Sequence, residues 1–301
     1  MRRLMAALCL AVAPATAWAE TINVPVQRPA AAGDVYLLAS LSVDRFSGAD
    51  GRLMATTLER ELAGLRDADG SALFELFDGS MGQGSVTGHA DASVDERRYT
   101  EKRRLCPGTF DPKAKCEDAD KAETEVSCRA RSIALAANVR IVRSDDGRLL
   151  MSRDLPQQSD SRWCNGERTP TAADTIIADL VRRAVNEVAK DLTPFSGVLP
   201  IRIREDRKGL DKQSAAQFKA AVVATRGDGR EGCALFEALA ATIPTHRPLI
   251  FNLALCAEAR GDYVGAVDGY LRVGDRDAQA AADRARATEI AIKQAEARQQ
   301  P

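Results

Sequence analysis

The chain has 301 residues, with 42 basic against 43 acidic and 45% hydrophobic. That length is enough for one large or two modest domains with real cores, and the near-neutral balance excludes a basic nucleic-acid binder. Aromatic residues make up 5% and there are two histidines, His89 and His246, which leaves little room for stacking platforms or histidine-based metal and acid–base sites.

Residues 1–19 read as a cleaved signal peptide. Arg2 and Arg3 start it, an apolar stretch follows from Leu4, and Ala17-Trp18-Ala19 gives the small-x-small cleavage pattern. Pro14 interrupts an apolar run too short to span a bilayer. Cys9 follows Leu8, where a lipid-attachment site wants a small residue. Cleavage leaves 40 basic and 43 acidic residues and removes Cys9, one of seven cysteines. The remaining even number, in an exported chain, reads as disulfides.

Residues 20–33 contain Pro25 and Pro29 and read as an extended lead-in. Val35 to Ala39 is a short apolar run that suits a buried strand. Leu53, Leu58, Leu62 and Leu65 fall near helical spacing, and Ala72 to Phe77 reads as the next strand. This strand–helix–strand opening predicts a two-layer α/β sandwich with a mixed sheet.

Residues 79–127 are glycine-rich, then charged. They read as an insertion or a pair of irregular edge strands. The basic run Arg97 to Arg104 is interrupted by Glu101 and reads as a solvated edge, whose charge guards against pairing. Lipid contact is the competing reading of the same run. Gly82 to Gly88 fits neither the dinucleotide nor the P-loop spacing and reads as a flexible loop. Asp67, Asp69 and Gly70 echo a calcium loop but lack its later ligands, so a turn is expected.

A hairpin follows. Ile133, Leu135, Ala137, Val139 and Ile141 alternate, Asp145-Asp146-Gly147 turns the chain, and Leu149 to Leu155 returns. If Arg143 and Arg148 flank the turn as partners, Cys128 faces about residue 163, beside Cys164. A bulge supplies the missing offset, so Cys128–Cys164 and Cys106–Cys116 are the favoured bridges among three connectivities. A four-cysteine zinc site is disfavoured because no C-x-x-C pair occurs. Ile176, Ile177, Leu180, Val181, Ala184, Val185 and Val188 then mark one apolar face of a helix over 173–191. Val198 to Ile203 reads as an added strand or a bridge between two domains, and residues 199–211 as a linker.

From residue 212 the chain reads as helix almost to its end. Asn252-Leu253-Ala254 through Gly261-Asp262-Tyr263 to Ala266 and Tyr270 resembles a tetratricopeptide repeat. Thirty-four residues upstream a weaker copy places Gly227-Asp228 at the turn, Gly232 at the small position and Phe236 in the seam. Two repeats, 212–245 and 246–279, are expected, with an alanine-rich capping helix from Asp277 to Arg298. Cys233 and Cys256 lie on neighbouring helices, where a bridge and two buried thiols are equally open readings.

The layout of 34–198 is similar to the α/β domain of the curli-secretion (CsgG-type) family, and in shape to the N-terminal domain of the Tol translocation protein. What carries that resemblance is a strand near 35–41, a helix, a strand ending near Phe77, the hairpin with Val139 to Val142 and Gly147 to Leu150, and the helix 173–191. It lacks the family's lipidation cysteine, and its charged, cysteine-rich insertion is unlike a membrane hairpin. The resemblance implies an envelope-associated, non-catalytic part. The fold expected is α+β: a two-layer α/β sandwich followed by an all-α repeat domain.

These features point to a periplasmic scaffold that binds a protein or peptide partner through its repeats. A structural part of a secretion or surface-polymer assembly is the alternative, and an envelope hydrolase the weakest. No cofactor, metal or catalytic residue is expected. Lys219 and Asn252, on first helices, and Arg260 at the rim are the candidate groove residues.

Overall fold

The computed structural model describes residues 20–67, 70–226 and 229–299. The proposed leader 1–19, Asp69 and the Gly227-Asp228 turn lie outside the described residues. The described chain is mixed α and β, divided into two compact units. One comprises residues 28–195 with the chain from 290 onward; the other comprises 20–27 with 196–289.

The α/β unit is built on a six-stranded mixed sheet ordered β3-β2-β4-β5-β6, with β7 also paired to β5. Its strands are β2 (Ser40–Val43), β3 (Glu75–Phe77), β4 (Gly84–Leu105), β5 (Ala122–Arg143), β6 (Leu149–Asp154) and β7 (Gln157–Cys164). Strand β2 runs parallel to β3 and β4, and the rest of the sheet is antiparallel. Helices α2 (Gly51–Gly64) and α3 (Ala173–Leu192) bury Met54, Leu58, Leu62, Leu180, Val181 and Val185 in one core with Ile133, Leu135, Val139 and Ile141 of β5. Ala134, Ala136 and Arg140, the alternate residues of β5, are exposed, so one face of the sheet is covered and the other open. Each fully buried Leu, Ile or Val is worth about 1.5–3 kcal/mol.

Several sequence expectations are corrected. Val35 to Ala39 is not a strand: α1 (Gly33–Tyr36) is a single helical turn that buries Val35 and Tyr36, and the strand begins at Ser40. A short continuous apolar run fits either a buried strand or a buried turn, and packing decides. Leu73 and Phe74 are buried before β3 starts at Glu75. Within 79–127 the expected irregular strands are regular ones, joined by a turn-rich loop over 106–121. After a 3-10 turn at Gly79–Met81, strands β4 and β5 pair without interruption from Gly84↔Arg143 to Leu105↔Ala122. The distal half of this hairpin is mostly exposed, so it carries no apolar alternation to read. Gly88, within β4, lets the backbone pass Phe46; a Cβ there would run into Asn138 O and the Phe46 ring, both well inside van der Waals contact.

The register shift between Ile141 and Val142 moves the β5–β6 pairing by one residue and leaves Cys128 directly opposite Cys164. These two are bonded, as are Cys106 with Cys116 and Cys233 with Cys256. The first two bridges bound a small separate core of Leu105, Val126, Cys128 and Cys164 beneath Tyr99. Three disulfides fit an exported protein. Among the described residues no helix is long and apolar enough to cross a membrane.

The extended lead-in and the strand alternative at Val198 to Ile203 meet in a pairing the sequence did not suggest. Residues Thr21–Arg28 form β1, whose Ile22, Val24 and Val26 alternate inward, and β1 pairs with β8 (Phe195–Arg202). Pro25 is tolerated because it sits on an outward, exposed position of a two-stranded sheet. The helical unit continues as α4 (Lys212–Ala224), α5 (Arg230–Leu239), α6 (Arg247–Ala259), α7 (Tyr263–Val273) and α8 (Arg276–Gln299). Asp211 and Asp262 cap α4 and α7 through their side chains, and Pro248 sits in the first turn of α6. Phe218, Phe236, Leu249, Leu255, Tyr270 and the inner alanines of α8 (Ala278, Ala281, Ala282, Ala285) fill this core.

Candidate partner-binding cleft

A cleft of about 860 Å³ opens in the helical unit between the segment after β8 and the loop joining α5 to α6. Arg202 to Leu210 form one wall, Thr242 to Pro248 the other, and Asp275 lies at one end.

Its first wall is held in part by Asn252. The Asn252 side chain accepts from Arg204 N at 2.8 Å and donates to Arg204 O at 2.9 Å. The Arg204 guanidinium donates to both oxygens of Asp275, at 2.6 and 2.8 Å, and lies 4.0 Å from the centre of the Phe251 ring. Two parallel bonds and a stacked ring fix an arginine better than a point contact would. The Arg204 hydrogen bonds hold the Asp275 carboxyl far below the usual carboxylate range, and Asp275 raises Arg204 in return. Asp275 also accepts from Ala278 N at 3.0 Å, capping α8.

The second wall is joined to the first by His246, whose Nε2 lies 2.9 Å from Asp206 O and whose ring meets Phe218 edge-on. Arg247 donates to Val273 O at the end of α7 and lies 3.8 Å from Asp275. Its side chain is 60% exposed. Arg202 is exposed beside Glu205, and Lys208 is exposed with no ion pair among the described residues. Because Arg204 and Asp275 neutralise each other, the solvent-facing charge of the cleft is carried by Arg202, Lys208 and Arg247 against Glu205 and Asp206.

The three groove residues expected from the sequence do not meet here. Asn252 is fully buried and spends its amide on Arg204, so it shapes the wall and is closed to a partner. Lys219 is exposed on α4 away from the cleft lining. Arg260 caps the end of α6 and donates to Glu237 of α5 at 2.6 Å. The residues that do line the cleft come from the presumed linker (Arg202 to Leu210) and from the presumed repeats (Thr242 to Pro248 and Asp275). The available signals were Gly274-Asp275, a turn plus cap at a helix start, and Pro248 just after His246.

A second, smaller groove of about 360 Å³ runs over Pro244, Ile250, Leu253, Gly269 and Arg272. The other residues weighed in the sequence have structural partners. His89 Nδ1 lies 3.0 Å from Ser47 Oγ, and Asp67 accepts from the Ser71 backbone and hydroxyl. Cys128 and Cys164 lie close to Glu101, but their sulfurs are joined to each other and are not thiolate ligands.

No family model matches the sequence, and no curated protein matches it. Among solved structures, a neuraminyllactose-binding hemagglutinin homolog from Helicobacter pylori is similar at 12% identity, over 52% of this chain and 86% of that one. The TM-score is 0.29, and the likeness carries no argument about fold or binding.

Proposed function

We propose that this chain is an exported periplasmic scaffold whose helical unit binds an acidic segment of a protein partner, without making or breaking bonds. One observation carries the reading. The cleft is open and its walls are already fixed by the Asn252–Arg204–Asp275 set, while Lys208, Arg202 and Arg247 remain turned to solvent. A preformed site loses less entropy on binding, and exposed cations around a cleft favour an acidic peptide.

Two further features support it. The helix pairs α4–α5 and α6–α7 follow each other at the spacing of the tetratricopeptide-like pattern, a design that presents extended binding surfaces. The disulfides suit the oxidising compartment that the leader-like start implies. The CsgG-type resemblance of the α/β unit fits an envelope role in the same way.

The test is crosslinking in intact envelopes followed by mass spectrometry, with wild type beside K208E/R247Q. A partner enriched on wild type, contacting the cleft through an acidic stretch and lost from the variant, is the expected result. Equal recovery of every crosslinked partner by both chains removes the cleft from the function.

A further inference from the structure

The β4–β5 hairpin leaves one long strand edge without a neighbour. Strand β4 is covered on its outer edge only near its start, by β2 at Gly84 to Val86 and by the Ser47–Asp50 segment. There Ser47 N donates to Gly88 O, Ala90 N to Ser47 O, Asp50 N to Ala90 O, and Ala92 N to the Asp50 carboxylate. From Ser93 to Arg104 no backbone hydrogen bond is made on this edge among the described residues.

The direction of each backbone group on that edge follows from parity. Val86, Gly88, Ala90 and Ala92 turn their groups outward, and the β4–β5 register continues unbroken to Leu105. Val94, Glu96, Arg98, Thr100, Lys102 and Arg104 therefore carry the outward N–H and C=O groups. The far end agrees: Ser127, opposite Thr100, turns its carbonyl away from β4 to accept from Asn165 N.

Natural sheets blunt such an edge with proline, bulges or charge. This one has neither proline nor bulge over 93–104, only charge. The charge does deter an apolar or unrelated strand, but it has a pattern. When the edge meets a copy of itself about a two-fold axis, the antiparallel pairing must join outward residues to outward residues, which permits only every second register. Centring on Arg98 puts Arg98 on itself and Asp95 on Glu101. Centring on Thr100 puts Arg97 on Arg103 and Arg98 on Lys102. Centring on Tyr99 sets Asp95 against Arg103, Glu96 against Lys102 and Arg97 against Glu101, and no like charges meet.

We propose that the free edge of β4 pairs antiparallel with the same edge of a second copy of this chain, centred on Tyr99. The pairing joins two open faces into one sheet across two hairpins. It also extends charge ladders already present. Glu96 is held by Arg129 and Arg131 from β5, and Lys102 by Glu123, so arginine, glutamate, lysine and glutamate alternate across four strands. The symmetry is isologous and closed, giving a dimer and no ring. This inference does not rest on the cleft.

The test is light scattering and sedimentation of the exported chain over a concentration series at low salt. Wild type is expected to be a dimer that weakens as salt rises. R97E sets a second carboxylate against Glu101, twice per dimer, and E101R places two arginines together. Each is expected to weaken association about tenfold or more. Mixing the two variants restores both opposite-charge contacts and is expected to restore a heterodimer. T100P deletes an outward N–H that the hairpin does not use and is expected to be monomeric with an unchanged circular dichroism spectrum. A wild-type monomer at about 100 μM overturns the proposal. So does wild-type association in both single variants, or failure of the folded pair to recombine.

Discussion

Removing the Glu258 carboxylate is expected to destabilise the helical unit severely. Glu258 is fully buried on α6. It accepts from the Tyr270 hydroxyl at 2.6 Å and from Arg284 Nε and Nη2 at 2.8 and 2.6 Å. The Arg284 side chain is 22% exposed, and the Tyr270 ring packs on Phe251. Burial, together with the Glu258 charge, keeps the Tyr270 hydroxyl protonated well above its ordinary range, so it acts as a donor at every working pH. E258L leaves a largely buried guanidinium without its counter-charge and a buried hydroxyl without an acceptor. Breaking such a pair from one side costs about 3–5 kcal/mol. With a urea slope of about 2 kcal/mol/M, the midpoint followed at 222 nm falls by roughly 1.5–2.5 M. E258L/R284M removes both charges, and replacing a buried pair with apolar groups is often neutral, so it recovers most of the loss. A single-variant loss under about 1 kcal/mol, or a double variant no better than the single, would refute the reasoning.

The remaining predictions are smaller. C233A/C256A opens a bridge of sequence separation 23 and is expected to cost about 3 kcal/mol, visible as a lower Tm than wild type without reductant. Asp275 is held below the carboxylate range chiefly by the Arg204 hydrogen bonds. Its contribution is complete above about pH 4, the unfolded value, and is lost as pH falls toward the folded one. D275N is therefore expected to flatten the acid limb of a stability–pH curve; an unchanged limb removes Asp275 from it. G88A pushes a methyl group into Asn138 O and the Phe46 ring and is expected to cost about 1–3 kcal/mol, with a chevron or urea midpoint as the check.

What was legible depended on periodicity. The β5 alternation and the apolar face of α3 both face the core that α2 and α3 share, so the pattern and the structure agree. The helix pairs after residue 212 were legible from the tetratricopeptide-like placing of small, large and turn residues. Residues with mostly exposed surroundings gave no such signal. The outer half of β4 is a regular strand held by cross-strand hydrogen bonds, and backbone bonds leave no trace in side-chain hydropathy. The cleft was hidden more deeply. Arg204 and Asp275 are 71 residues apart in sequence and Asn252 is 48 from Arg204, and nothing local relates them.

The sequence by itself determined where apolar faces must be buried, which segments turn or cap, and that Cys128 would come opposite Cys164 if one bulge intervened. These are near-neighbour effects of pleat, helical pitch and turn chemistry. Only the tertiary structure decided that the bulge lies at Ile141–Val142, that Thr21–Arg28 joins β8, and that Asn252 serves a distant backbone instead of a partner. Those outcomes depend on which surfaces meet after the chain has closed, and a polar side chain takes whichever buried partner the closed chain brings to it.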